Sequence, residues 1–330
     1  MLVAAVFERV AKNGSPPSDS REFARSVDKK TALTRAILTP MTQPTLSLVI
    51  PAYNEADTIG WLLGSLLTEL DAIDEIIVVD NNSTDETAEI VARFFDKMPQ
   101  LRLIEETKRG VIAARNAGFD SAGGDIISRL DADARAKPGW ATAIRTFFST
   151  ADESIGAGTG FFDQYDMPLQ FIHKKLLHMA FDQAQKNNGE VPSLFGANLA
   201  VRASTWKEIR PLLLEQNGIY DDLDITLCVK EIGQRNVFIP GMDISASGRR
   251  MLSNTKTYAE FTAYMPATLE ARGMHDEAKR SWANVRTMRL LHRVFWLPSR
   301  AWNPATGHYS VRQLFSKHKQ RVLPYETTTG

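Results

Sequence analysis

Between Leu46 and Phe148 the chain alternates short apolar runs with longer stretches in which apolar residues recur every three or four positions. The runs Leu46–Pro51, Glu75–Asp80, Leu101–Glu105 and Asp125–Leu130 predict buried strands. Between the first two, Ala56–Leu70 places Ile59, Leu62, Leu63, Leu66, Leu67 and Leu70 on one helical face. A second helix is expected to take Ser83 or Thr84 as its N-cap and to turn Ala88, Val91, Ala92 and Phe95 inward. A third spans Gly110–Ser121, and Pro138 suits the opening of a fourth through Trp140, Ile144 and Phe147–Phe148. Strands alternating with helices at this spacing predict βαβ units, hence an α/β fold with a mostly parallel sheet flanked by helices. Right-handed crossovers gather the loops at the strands' carboxyl ends on one rim, where such sheets bind ligands.

Beyond Ser154 the pattern predicts strands at Ile155–Phe161, Phe195–Val201 and Asn236–Ile239, and helices at Pro168–Lys186 and Asp221–Glu231. Two amphipathic helices follow: Tyr258–Leu269, with Tyr258, Phe261, Met265 and Leu269 on one face, and Ser281–Trp296, with Val285, Met288, His292 and Phe295. The tail after Pro298 is turn-rich and basic. Residues 1–44, with Asn13-Gly-Ser-Pro-Pro-Ser-Asp-Ser20, lack a hydrophobic period and are expected to be disordered or loosely helical. Met41 is a candidate for the native start. The expected organisation is an N-terminal extension over 1–44, a catalytic domain over 45–250 and a helical, basic C-terminal extension over 251–330.

Composition narrows the choices. Lysine plus arginine equals aspartate plus glutamate at 39 each, so the whole chain advertises no nucleic-acid partner. Residues 245–325 are uneven, with 14 Lys/Arg against 4 Asp/Glu. That excess suits phosphates or an anionic membrane face; the same helices equally suit a cap on the domain or a homodimer contact. Cys228 is the one cysteine, so no intramolecular disulfide can form, and its apolar surroundings suggest a core residue. No run reaches the roughly eighteen apolar residues of a spanning helix. The apolar start Met1–Phe7 is short, lacks a basic leader and runs into Glu8 and Arg9, which does not read as a secretory signal. The expectation is a cytoplasmic protein, with the cytoplasmic face of the membrane as a second location.

Chemistry concentrates on the predicted rim. Asp131-Ala-Asp133 follows a buried strand, and carboxylates at i and i+2 of an extended segment share one side. Such a pair suits Mg²⁺ or Mn²⁺ bridging to substrate phosphates, or else an ordinary solvated turn. Val49-Ile-Pro-Ala-Tyr-Asn-Glu55 is a strand running into a polar turn, and Asp80 ends another strand. Lys108-Arg-Gly-Val-Ile-Ala-Ala-Arg-Asn-Ala-Gly118 opens a helix whose start favours anions. Tyr220-Asp-Asp-Leu-Asp224 sets three acids at the start of a helix, where they either stabilise its N-terminus or supply a base. Ser247-Gly-Arg-Arg250 suits a phosphate or a solvated surface.

These clusters, in this order, resemble the nucleotide-diphospho-sugar transferases of the GT-A fold, specifically glycosyltransferase family 2. The blocks VIPAYNE, IIVVDNNSTDETAEI, RGVIAARNAG and GDIISRLDADARAKPGW carry the resemblance, strongly over residues 45–150 and more loosely over 151–250. It implies a metal-dependent, inverting hexosyl transfer from a UDP or GDP sugar to an acceptor hydroxyl that the sequence does not identify. Pro51, Ala52, Tyr53 and Glu55 would hold the nucleoside, with Asp80 on its base or ribose and Arg115 near the base. Asp131 would bind the ribose or assist the metal, and Asp133 would ligate Mn²⁺ or Mg²⁺. Asp222 would be the base, beside Asp221, with Asp224 as runner-up. Gly196, Ala197 and Asn198 resemble the acceptor-side strand, and Arg249 and Arg250 would meet a diphosphate or a phosphorylated acceptor. The alternatives are a retaining transferase of the glucosyl-phosphoglycerate synthase type, a polyprenyl-phosphate sugar synthase, and a nucleotide-sugar-binding scaffold without activity. A processive polysaccharide synthase is disfavoured, since the chain shows neither membrane spans nor a Gln-x-x-Arg-Trp motif. His173 and His178 are assigned no role.

Overall fold

The computed structural model describes residues 43–168, 188–303 and 306–315, together with Lys175 and Met179. The first strand, β1 (Leu46–Ala52), pairs in parallel with β2 (Glu75–Asp80) on one side, and β2 pairs in parallel with β3 (Leu101–Glu105). On its other side β1 pairs in parallel with β4 (Ile126–Leu130). The crossovers carry α1 (Ile59–Leu66), α2 (Thr87–Ala92) and α3 (Val111–Ser121). After β4 come β5 (Arg135–Ala136), α4 (Trp140–Thr150), β6 (Ile155–Thr159), β7 (Phe162–Gln164), β8 (Asn198–Arg202) and α5 (Ala203–Ile209). The central sheet has seven strands in the order β3-β2-β1-β4-β8-β6-β9, where β9 is Arg235–Phe238. β8 runs antiparallel to both its neighbours, and every other pairing is parallel. The mostly parallel α/β sheet expected from the sequence is therefore the fold.

Strand alternation feeds two cores. Leu46, Leu48 and Ile50 of β1 and Ile76 and Val78 of β2 pack on one face with α1 and with Trp140, Ile144 and Phe148 of α4. Val49, Ile77 and Val79 point to the other face, against α3, α5 and α6 (Asp221–Glu231). On that face α3 sits close because it presents Gly118, where a Cβ would lie 2.3 Å from a Val49 methyl. A smaller sheet, β5-β10-β7, adds β10 (Ile244–Ala246). Its antiparallel pair matches Arg135 with Ser245, so the turns preceding β5 and following β10 emerge side by side. The C-terminal helices α7 (Thr255–Thr262), α8 (Tyr264–Ala271) and α9 (His275–Ala301) are tied to α6 through Arg272. Its guanidinium donates to Asp224, to the Leu212 carbonyl and to Cys228, which is buried as expected.

Several expected boundaries shift for local reasons. α1 is shorter than Ala56–Leu70, because the chain leaves the helix at Leu67 and turns Glu69 inward. Glu69 is 5% exposed, and its two oxygens accept from the Gly139 and Ala141 amides. It thus satisfies the start of α4 from a distant segment, and that helix opens after Gly139, φ +86°, rather than at Pro138. Neither Ser83 nor Thr84 caps α2. Asp85 accepts from the Thr87 amide instead, and both Ala92 and Phe95 are exposed while Met98 is buried. β8 begins at Asn198 rather than Phe195. The helix expected over Tyr258–Leu269 is broken between Thr262 and Tyr264, with Pro266 in the first turn of the second piece, where its missing N–H costs nothing. In α9, Val285 and His292 are buried as expected, but Phe295 is exposed. Apart from Pro168, Lys175 and Met179, the helix expected over Pro168–Lys186 lies outside the described residues, as do His173, His178, residues 1–42 and residues 316–330.

Removing the Glu69 carboxylate leaves two amides at the start of α4 without their acceptor, that of Ala141 being buried. Glu69→Ala is expected to lower stability by about 2–3 kcal/mol, read as a reduced urea midpoint with an unchanged slope.

Candidate active site

The rim at the carboxyl ends of β1–β4 is built from polar turns that hold one another. Asn54 and Asn82 adopt left-handed φ values of +53° and +61°, which asparagine tolerates better than most residues. The Asn54 amide donates to Ser83 Oγ at 3.0 Å, and the Thr84 amide returns a bond to Asn54 Oδ1 at 2.7 Å. Asn81 joins the turn after β2 to the start of α3: its Nδ2 donates to the Glu106 and Lys108 carbonyls, and its Oδ1 accepts from the Gly110 amide at 2.7 Å. Gly110, at φ +127°, takes a conformation open to glycine. Asp80 ends β2 beside Ala52 of β1 and accepts weakly from the Ser83 amide. Arg109 lies over the Tyr53 ring, 6.0 Å from its centroid. Pro51, Ala52, Tyr53 and Asp80 therefore meet on one rim, as expected.

Asp131 and Asp133 do not share one side of an extended segment. Residues 131–134 form a turn closed by the Ala134 amide on the Asp131 carbonyl, and the two carboxylates part company. Asp131 turns to Arg129, which contacts its Oδ1 through Nε at 3.2 Å and Nη2 at 2.7 Å. Asp133, with a side chain 2% exposed, lies 2.9 Å from Arg249 Nε. Arg249 also reaches Glu55, whose other oxygen accepts from Thr58 Oγ1. Arg249 thus joins the rim as expected, while Arg250 does not: its guanidinium stacks 3.6 Å above the Phe261 ring. Asp166 fixes the approach of Arg249 by accepting from Ser247 Oγ and the Gly248 amide.

The third group of acids begins α6. Asp222 is partly exposed, and its carboxylate accepts from the Gly196 amide at 3.0 Å and from its neighbour's amide at Leu223, 2.8 Å. Burial, and then the adjacent charge of Asp221, push it well above the ordinary carboxylate range, to about 6. Asp221 lies 2.6 Å from Arg129 Nη1 and 3.8 Å from Arg115 Nη1. Arg129 therefore spans from Asp131 in the turn after β4 to Asp221 at the start of α6. Burial opposes its charge, but Asp221 and Asp131 outweigh burial and raise its pKa. Gly196 makes room for this convergence: a Cβ there would lie 3.3 Å from Asp222 Cβ and 3.4 Å from Arg129 Nη1.

Three expected roles change. Arg115 is fully buried on the inner face of α3, against Trp206 and Asp221, so no base can reach it here. Asp224 is buried and held by Arg272 and the Leu214 amide, which makes it an anchor for the C-terminal helices and not a base. Asn198 is consumed by structure, accepting from Trp140 Nε1 and donating to the Phe161 and Met242 carbonyls. Glu55 gains a partner the sequence did not foresee, pairing with Arg249 while accepting from Thr58 Oγ1. Sequence reasoning missed Arg129 and Asn81. The signal for Arg129 was present: a guanidinium inside a strand that is otherwise apolar must find carboxylates.

Among the described residues no three His, Cys, Asp or Glu side chains cluster to hold a metal by themselves. Asp133 alone fits a different arrangement, in which Mg²⁺ or Mn²⁺ takes one or two carboxylates and completes its shell with substrate phosphates and water. A cavity of about 210 Å³ lies beside the Lys108–Gly110 turn, lined also by Asn116, Asp120 and Arg210. None of Asp80, Asp131, Asp133 or Asp222 lines it, so it is separate from the acids.

Residues 47–209 match the sequence model of the family Glycosyl transferase family 2. Glycosyltransferase AglE of Haloferax volcanii is 34% identical over 124 residues, which span 36% of this chain and 41% of that protein. The probable glycosyltransferase YdaM of Bacillus subtilis is 27% identical over 210 residues, 60% of this chain and 49% of that one. The chain thus spans under half the length of these curated relatives. Among solved structures, the mannosyltransferase PcManGT of Pyrobaculum calidifontis, in complex with GDP-Man and Mn²⁺, aligns over 89% of this chain and 86% of its own. Its TM-score is 0.57 at 19% identity, a likeness of fold. Among the described residues, no helix is long and apolar enough to cross a membrane. Through residues 47–209 this chain belongs to glycosyltransferase family 2, and its fold is GT-A.

Proposed function

We propose that this glycosyltransferase moves a sugar from a UDP- or GDP-linked donor to an acceptor hydroxyl with inversion, using Asp222 as general base and Asp133 as the ligand of a divalent cation. The observation that carries this reading is the placement of Asp222. It stands partly exposed at the start of α6, oriented by two backbone amides, with a proton affinity raised towards neutrality. A base for a hydroxyl works best near the operating pH. Inversion needs that base on the face opposite the leaving group. Arg129 supports this division of labour, because one buried guanidinium fixes the spacing between Asp131 and Asp221.

A cation at Asp133 would offset the charge that develops on the departing diphosphate. The archaeal mannosyltransferase of like fold, solved with GDP-Man and Mn²⁺, is an analogy for such a site. Arg249 and a cation would seek the same carboxylate, so a metal at Asp133 would require Arg249 to release it, and the freed guanidinium could then serve the diphosphate. Pro51, Ala52, Tyr53 and Asp80 form the wall for the nucleoside. The acceptor approaches from the side of Gly196, Ala197 and Asp222.

Asp222→Asn is expected to lower transfer by about a thousandfold while donor binding survives. The same variant should be more stable at pH 7. A carboxylate whose folded pKa is raised weakens the fold as pH climbs from its unfolded value through its folded one, so removing its charge recovers on the order of 1–2 kcal/mol. A thermal melt that falls, or transfer that persists, contradicts the assignment.

The pH profile follows from the same shift. Asp222 is protonated below about 6, so kcat/KM should drop tenfold per unit below that point and level off above it. Asp221→Asn removes the neighbouring negative charge and should move the break to lower pH.

Asp133→Ala should abolish the Mn²⁺-dependent rise in melting temperature given by UDP, GDP or their sugars, while metal-free stability is retained. Analysis of the product anomer checks inversion.

A further inference from the structure

The C-terminal half of α9 carries an apolar surface that the other described residues leave exposed. Leu290, Leu291, Val294, Phe295 and Leu297 are 61%, 48%, 59%, 43% and 56% exposed. At about 100° per residue they fall on one continuous arc of the helix. Ser281, Val285, His292 and Ser299 are buried and fall on the opposite arc. That buried side packs on the domain, with His292 stacked 3.8 Å from the Tyr258 ring. The exposed apolar arc therefore faces away from the domain and contributes nothing to its core.

Charge identifies what fits there. From Ala278 to Ala301 the helix holds Lys279, Arg280, Arg286, Arg289, Arg293 and Arg300 and no acidic residue. Lys279 and Arg280 are answered within the first turns by Asp276 and Glu277. Arg286, Arg289, Arg293 and Arg300 fall in a row along one border of the apolar arc. Arg289 donates to Thr262 Oγ1 and the Ala259 carbonyl, and Arg286 and Arg293 are exposed. An outward apolar strip bordered by arginines has the make-up of a helix lying in the plane of a bilayer, with leucines among the acyl chains and cations at the headgroups. A second copy of the chain fits poorly, because like rows of arginine would meet with no carboxylate between them.

We propose that α9 docks this enzyme on an anionic lipid bilayer through Leu290, Leu291, Val294, Phe295 and Leu297, with Arg286 and Arg293 meeting the headgroups. The turn that bears Arg249 contacts the buried side of the same helix. Docking would hold that turn about one helix diameter, roughly 10 Å, from the lipid surface. The inference is independent of the transfer chemistry, since it uses none of the acids on the rim.

The test is co-sedimentation of the full chain with vesicles of phosphatidylglycerol and phosphatidylcholine in equal parts, and with phosphatidylcholine alone. The expected result is binding to the anionic vesicles that weakens with salt, with a blue shift of tryptophan fluorescence from the Trp282 and Trp296 region. Arg286→Gln with Arg293→Gln should weaken binding about thirtyfold, from about fivefold for each basic residue at such a surface. Leu290→Gln with Val294→Gln should abolish it, while melting and donor-induced stabilisation stay as in the parent. The proposal is overturned if the parent ignores anionic vesicles, or if neither double variant alters binding. It is equally overturned if sedimentation velocity shows a dimer that the Leu290/Val294 variant splits, because a second copy then covers the face.

Discussion

The site depends on the guanidinium of Arg129. It sits in β4, near the middle of the sheet, with its side chain 4% exposed, and it contacts carboxylates of two segments far apart in sequence. A buried cation without partners would cost several kcal/mol, so its presence commits both Asp131 and Asp221 to fixed positions. Arg115 adds a second buried positive charge on the far side of Asp221. The result is a chain of alternating charges, Asp131, Arg129, Asp221 and Arg115, that runs beneath the rim. Asp222 is the carboxylate left outside this chain. Two backbone amides orient it, and burial together with the neighbouring charge of Asp221 outweighs them and Arg129, so its proton is bound more tightly than usual.

The small three-stranded sheet does the corresponding work on the other side of the rim. β5 and β10 are only two and three residues long, yet their pairing sets the Asp133 turn next to the segment that carries Arg249. Two rigid strand ends thereby bring a carboxylate and a guanidinium into contact without either belonging to a long element. The Arg249 contact also joins Glu55 of the β1 turn to Asp133 of the β4 turn. This side chain meets the need for positive charge between two acids. In the proposed reaction a metal and a diphosphate would bring charge and ligands of their own, so exchanging one arrangement for the other need not leave a buried carboxylate bare.

Much of this was legible in the order of residues. The apolar runs of β1, β2 and β4 are buried on both faces and too short to be helices, so strand and sheet class follow from length and composition. Asp222 and Asp133 were legible as candidates because the family-like blocks around them single them out from acids that otherwise read as a helix start or a solvated turn. What the sequence hid was the direction in which side chains face. Arg115 looks like a rim residue until α3 is turned by its close contact at Gly118, which places the arginine inward. Asn198 looks like an acceptor contact until Trp140, from a different element, claims its amide oxygen. Asp131 and Asp133 look like one pair until a single turn sends them to different arginines. Each of these depends on a partner distant in sequence, and local periodicity carries no information about that partner.

The same reasoning explains why α9 was only half predicted. Its inward period was plain from Val285, Met288 and His292, but Phe295 was counted with them because a long apolar residue near that spacing suggests a core. In the fold the inward side at that level is taken by His292 against Tyr258 and by Ser299, which leaves Phe295 on the margin of the outward strip. A helix that is apolar on two sides has one more surface than its own domain can cover. Burial of the first side accounts for the packing of α7 and α9; exposure of the second, beside Arg286 and Arg293, is what the proposed bilayer contact would use.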